Sequence, residues 1–126
     1  VRITRLLHVS LLVSDLARSR AFYEGVLGLV PSPLRPDLGY PGVWYALGSH
    51  EIHLLALPNP DPVHGRPEHG GRDRHVALAV DDLDALERRL REAGVAASRS
   101  RSGRAALFCR DPDGNALEFV GLRTPD

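Results

Sequence analysis

Four side chains in this sequence are of kinds that ligate a divalent ion, and each falls in a strand-like stretch: His8, His53, His75 and Glu118. Three imidazoles and one carboxylate suit a borderline ion (Zn, Ni, Mn, Fe or Co) better than Ca or Mg, which prefer all-oxygen shells. A single carboxylate leaves such a centre with net positive charge. One divalent ion per site would then act as a Lewis acid on a substrate oxygen, provided coordination positions stay open. The remaining histidines are read differently: His50 falls in a turn, and His64 and His69 lie in a proline- and glycine-rich stretch where solvated side chains are expected.

The elements that must position these groups form a repeat. Residues 8–16, HVSLLVSDL, and residues 75–83, HVALAVDDL, are identical at six of nine positions, 67 residues apart. The first copy runs into a helical pattern from Leu16 to Leu27, with Ser14 or Asp15 as N-cap and Gly28 closing it. The second continues with Leu83, Leu86, Leu90 and Ala93 at helical spacing, Asp81 or Asp82 capping and Gly94 at the end. Strands are expected near 29–35, 42–48 and 50–57 in the first copy, and near 95–100, 104–110 and 115–122 in the second, where DPDGN makes a hairpin turn. The expected fold class is α+β: two tandem βαβββ modules whose curved mixed sheets enclose a metal cavity, with the helices outside. One domain over 1–126 is expected, with module one at 1–57, a linker at 58–73 and module two at 74–126. The prolines and glycines of the linker forbid a regular element and mark a connecting or binding loop.

Strand side chains alternate between faces, and this decides which way the candidate ligands point. His75 shares its side with Ala77 and Ala79, whereas Val76, Leu78 and Val80 form the large apolar row that must meet a helix. His8 likewise lies with Ser10 and Leu12, opposite Val9, Leu11 and Val13. His53 opposes Ile52 and Leu54, and Glu118 opposes Leu117 and Phe119, so all four polar groups leave the helix-facing rows. They converge if the two modules curve together about a pseudo-twofold axis.

Composition removes several function classes. Sixteen basic residues balance sixteen acidic ones, which provides no field for nucleic acid. No apolar run approaches the roughly 18 residues of a membrane span, and the amino end lacks a signal-peptide pattern. The single cysteine, Cys109, rules out an internal disulfide and fits a reducing, cytoplasmic location, where an inert buried thiol is expected. A small molecule is therefore the expected partner, with no nucleic acid and no membrane.

The repeated order, together with HVSLLVSDLARSRAFYEGVLGL, HVALAVDDLDAL and DPDGNALEFVG, resembles the vicinal oxygen chelate superfamily over nearly the whole chain. That group includes glyoxalase I, fosfomycin-resistance proteins, extradiol dioxygenases, methylmalonyl-CoA epimerase and bleomycin-resistance proteins. The resemblance implies that His8 and His75 are the first-strand ligands of the two modules and Glu118 the carboxylate of the closing strand. His53 takes the slot where glyoxalase I-like members carry Glu and epimerase-like members Gln. Because the Glu of that slot also moves a proton in glyoxalase I-like enzymes, His53 and Glu118 are the candidate catalytic groups. Homodimers with sites built from both chains are implied for members of this length.

The implied function is a metal-dependent isomerase, lyase, epimerase or thiol transferase that binds a substrate through adjacent oxygens and stabilises an enediolate-like or oxyanion intermediate. Two alternatives stand beside it: an extradiol dioxygenase using His8, His75 and Glu118 on Fe(II), against which a fourth protein ligand counts, and a non-catalytic drug-binding dimer of the bleomycin-resistance type. Arg104, Trp44 and Tyr45 are the candidate substrate contacts. Arg99 and Arg101 share the loop with Arg104, but the tyrosine of fosfomycin-resistance transferases is absent from it.

Overall fold

The computed structural model describes residues 1–122, which separate into one compact unit over Val1–Pro60 and a second from Asp61 onward. The first unit holds a three-stranded mixed sheet and the second a four-stranded one, in an α+β arrangement.

In the first unit β1 (His8–Leu12) runs parallel to β3 (His50–Leu55), and β2 (Gly42–Leu47) pairs β3 from the other side, antiparallel, giving the order β1-β3-β2. Helix α1 (Leu16–Arg20) starts at Asp15, whose carboxylate accepts from the Arg18 N–H at 3.1 Å. That bond satisfies one of the donors a helix N-terminus leaves open. The chain continues as a wider π-helical stretch over Ala21–Val26, marked by Leu27 N–H donating to Phe22 O five residues back. With this extra width Phe22 and Tyr23 both turn inward, where a regular 3.6-residue repeat would send neighbours apart. Gly28 ends the segment at φ +76°, the left-handed conformation a C-terminal glycine tolerates. Tyr23, Tyr45, Ile52 and Leu54, none more than 1% exposed, make the core of this unit.

The fourth strand expected at 29–35 reduces to a single bridge between Pro31 and Tyr45, with Ser32 N–H donating to Trp44 O at 2.7 Å. Pro31 and Pro33 supply no N–H, so a ladder cannot propagate there. His50, expected in a turn, opens β3 opposite Leu47.

The second unit has strand order β4-β7-β6-β5, from β4 (His75–Val80), β5 (Ala97–Arg99), β6 (Ala106–Arg110) and β7 (Ala116–Gly121). β4 and β7 are parallel, and the other pairs antiparallel. Helix α2 (Leu83–Glu92) is capped by Asp82, which accepts from Ala85 N–H at 2.9 Å, and buries Leu83, Leu86 and Leu90 at helical spacing. Asp111 makes the turn between β6 and β7 by accepting from the N–H groups of Asp113 and Asn115, both at 2.9 Å, with Gly114 at φ +84°.

The stretch expected to lack regular structure carries a 3-10 turn at Gly70–Arg72, capped by the His69 ring, which accepts from Gly71 N–H at 3.0 Å. His69 is thus a cap packed on Phe108, with ring centroids 4.8 Å apart, instead of a solvated loop residue. Just after the turn, Asp73 accepts from Arg66 through both oxygens (2.6 and 2.7 Å) and from Arg110 at 2.8 Å. These bonds, Arg66 first and Arg110 and the Arg74 N–H after it, hold its carboxyl well below the usual carboxylate range.

A depressed folded-state pKa contributes stability that is complete above the unfolded value of about 3.9 and disappears as pH falls through the folded one. Asp73→Asn is therefore expected to melt below the wild type by a constant margin at neutral pH, a margin that closes progressively as the pH drops below about 4. Thermal melts from pH 7 to pH 2 check this, and a margin independent of pH would refute it.

Candidate metal and substrate site

Parallel pairing gathers the candidate side chains of the first unit. Paired residues on neighbouring strands present side chains to the same face, and the registers His8↔Glu51, Ser10↔His53 and Trp44↔His53 put His8, Glu51, His53 and Trp44 together, away from α1. The His53 ring lies between two others, stacked on Trp44 at 4.1 Å and 5° and on His8 at 4.0 Å and 14°. This face opens into a cavity of about 610 Å³ whose lining includes His8, Arg35, Tyr40, Trp44, Glu51 and His53.

His53 is only 7% exposed, and its proton affinity is lowered, first by burial and then by the charges of His8 and Arg35, against the opposing pull of Glu51. A carboxylate only accepts, so the 3.3 Å contact between His53 Nε2 and Glu51 Oε1 places the proton of a neutral ring on Nε2 and leaves Nδ1 with the lone pair. Glu51 was missed in the sequence. It stands two residues before His53, and the same alternation that oriented His53 puts it on the cavity face.

In the second unit β4 and β7 do the same, and Ala77↔Glu118 places Glu118 beside the strand that begins with His75. His75 Nδ1 lies 2.8 Å from Asp73 O, and a carbonyl also only accepts, so in a neutral ring Nδ1 carries the proton and Nε2 the lone pair. Nε2 then faces Glu118 Oε1 at 3.4 Å. Two ligand bonds of about 2.1 Å span about 3.4 Å at the tetrahedral angle, so the pair matches the spacing of adjacent metal ligands. Glu118 is 5% exposed, and its other oxygen accepts from Arg104 Nη2 at 3.0 Å.

The donors thus stand in two pairs, His8 with His53 and His75 with Glu118. Among the described residues of one chain, no three His, Cys, Asp or Glu side chains form a group that could hold a metal ion. The three candidate substrate contacts fare differently. Trp44 lines the cavity. Arg104 is the hydrogen-bond partner of Glu118.

Tyr45 is corrected: it is 0% exposed on the opposite face, stacked on Tyr23 at 5.9 Å, with its hydroxyl donating to Glu24 at 2.8 Å. Period-2 alternation sends neighbours to opposite sides, so Trp44 and Tyr45 cannot both face the cavity. Burial and the neighbouring Glu24 carboxylate raise the Tyr45 phenol above its ordinary range, and it serves as a core donor. Cys109 is buried, and burial first, Asp111 second, push its thiol up to about 12, which leaves no thiolate at neutral pH.

The two mixed sheets, each joined to a helix that follows its first strand, define an α+β protein of repeated design. The profile of the Glyoxalase/Bleomycin resistance protein/Dioxygenase superfamily matches residues 5–119, and the chain belongs to that superfamily. It is 29% identical over 124 residues to glyoxylase I 4 of Arabidopsis thaliana, covering 94% of this chain and 71% of that protein. It is 32% identical to the lactoylglutathione lyase of Haemophilus influenzae, covering 92% and 91% of the two chains. Among solved structures, a glyoxalase family protein from Bacillus anthracis superposes with a TM-score of 0.76 at 24% identity over 94% of each chain, a likeness of fold. No helix among the described residues is long and apolar enough to cross a membrane.

Proposed function

We propose that this chain is a metal-dependent enzyme of the glyoxalase type, acting in the cytoplasm on a small molecule that presents adjacent oxygens. His8, His53, His75 and Glu118 would hold one divalent ion (Zn, Ni, Mn, Fe or Co), the two pairs being brought together in a homodimer whose sites draw on both chains. The observation that carries this reading is the facing pair in the second unit: His75 Nε2 and Glu118 Oε1, both lone-pair donors, 3.4 Å apart, with the imidazole tautomer fixed from behind by Asp73 O at 2.8 Å. A backbone carbonyl in that position is the usual device for orienting a ligand histidine.

When bound, the ion supplies Lewis-acid polarisation of the substrate oxygens. The remaining work falls to side chains. Arg104 fixes one Glu118 oxygen and so sets the direction of the other. His53, its proton affinity lowered by burial, has a single lone pair, at Nδ1: it would hold the ion there or, once released from it, take a proton there, with Glu51 behind Nε2 to share the resulting charge. The indole of Trp44 covers one face of the His53 ring and keeps water from it.

The reaction that fits these groups is proton transfer next to a carbonyl, as in isomerisation of a hemithioacetal. Protein purified without added ions is expected to retain about one divalent ion per site, and His75→Ala to lose it together with turnover of the hemithioacetal of methylglyoxal. Equally low metal in both proteins would overturn the proposal.

A further inference from the structure

Arg35 lines the same cavity as His8 and His53, and its surroundings are incomplete. One of its amino groups donates to Tyr40 O at 2.8 Å, and the guanidinium stacks over the Tyr40 ring at 5.3 Å. Its Nε–H is shut off from solvent and has no hydrogen-bond partner. That enclosed donor is beyond a ligand's reach, so a ligand would meet the guanidinium at its amino groups, on the part of the side chain that lines the cavity.

We propose that Arg35 receives a carboxylate on the substrate, so that the molecules this protein takes are small monoanionic acids carrying their reactive oxygens away from the carboxylate. One planar guanidinium with a single positive charge matches a single carboxylate. Leu7, Leu38 and Trp44 give the same wall an apolar part, which favours an acid with a hydrocarbon or aromatic body. This inference rests on the cavity being the substrate site, as in the reading above, and adds the substrate's charge.

Trp44, the only tryptophan of the chain, lies on the wall and reports on occupancy by its fluorescence. In chelator-treated, metal-free protein, phenylacetate is expected to change that fluorescence saturably, and phenylacetamide, of the same shape but uncharged, to bind roughly tenfold or more weakly, the worth of one charge-assisted hydrogen bond. Arg35→Met should abolish the discrimination between acid and amide, and Arg35→Lys should restore part of it. Equal affinity for acid and amide in the wild type, a comparison needing no variant to fold, would overturn the proposal, as would an Arg35→Met protein with unchanged discrimination. Because this titration is done without metal, its failure is distinct from a failure of metal retention in His75→Ala.

Discussion

Glu118→Gln is expected to lower metal affinity and turnover by more than about 100-fold, beyond the cost of losing an outer-shell partner, while moving the melting temperature by less than about 4 °C. The substitution preserves shape and one oxygen and removes only the charge. Glu118 is buried beside His75 and Arg104, a position where an ionised carboxylate costs desolvation energy unless cations repay it. Removing that charge strands nothing, because the Arg104 side chain is 59% exposed and can turn to water. A purely structural ion pair would show the reverse pattern, with a large fall in melting temperature and intact metal content. Metal analysis and melting curves on one preparation separate the two, and retained metal in Glu118→Gln would remove Glu118 from the ligand set.

The orientation of His75 was legible because it depends on one local rule. HVALAV alternates, so the side of His75 follows from its neighbours, and β4 shows the expected alternation of exposed and half-buried positions. The same rule already contained Glu51 and excluded Tyr45 from the cavity. The rest of the site was closed to sequence reading for two physical reasons. Arg35 sits among prolines, in a loop without periodicity, and its position is set by Tyr40 O and by space over Gly42. The Asp73 cluster joins Arg66, Asp73 and Arg110, the last 37 residues from Asp73, through a long-range contact that no spacing announces. The π-helical width at Ala21–Val26 was also hidden, since Leu16, Tyr23, Val26 and Leu27 satisfy an ordinary helical stripe as well.

Gly42→Ala is expected to destabilise the first unit by about 2–4 kcal/mol and to disorder the cavity wall, a large effect for one methyl group. Backbone strain is not the cause, for Gly42 is absent from the glycines with positive φ. The obstacle is steric: the new Cβ would lie 2.5 Å from Leu54 O and 2.8 Å from Arg35 Nη2. Arg35 is a flexible side chain and can withdraw. Leu54 O belongs to the backbone of β3, and Leu54 itself is 0% exposed, so relief requires β2 to move off β3 at the Gly42↔Leu55 pair. That displacement would spread to the next cavity-facing pair, Trp44↔His53, and loosen the ring stack that orients His53. The two contacts make separable demands. If Arg35 were the main obstacle, Arg35→Ala combined with Gly42→Ala would recover most of the lost stability; with the carbonyl as the obstacle, the double variant stays at least as unstable as Gly42→Ala alone. Denaturant titration followed by Trp44 fluorescence measures the loss of stability and of the stack together, and a Gly42→Ala protein matching the wild type in both would show that β2 and β3 have room to part here.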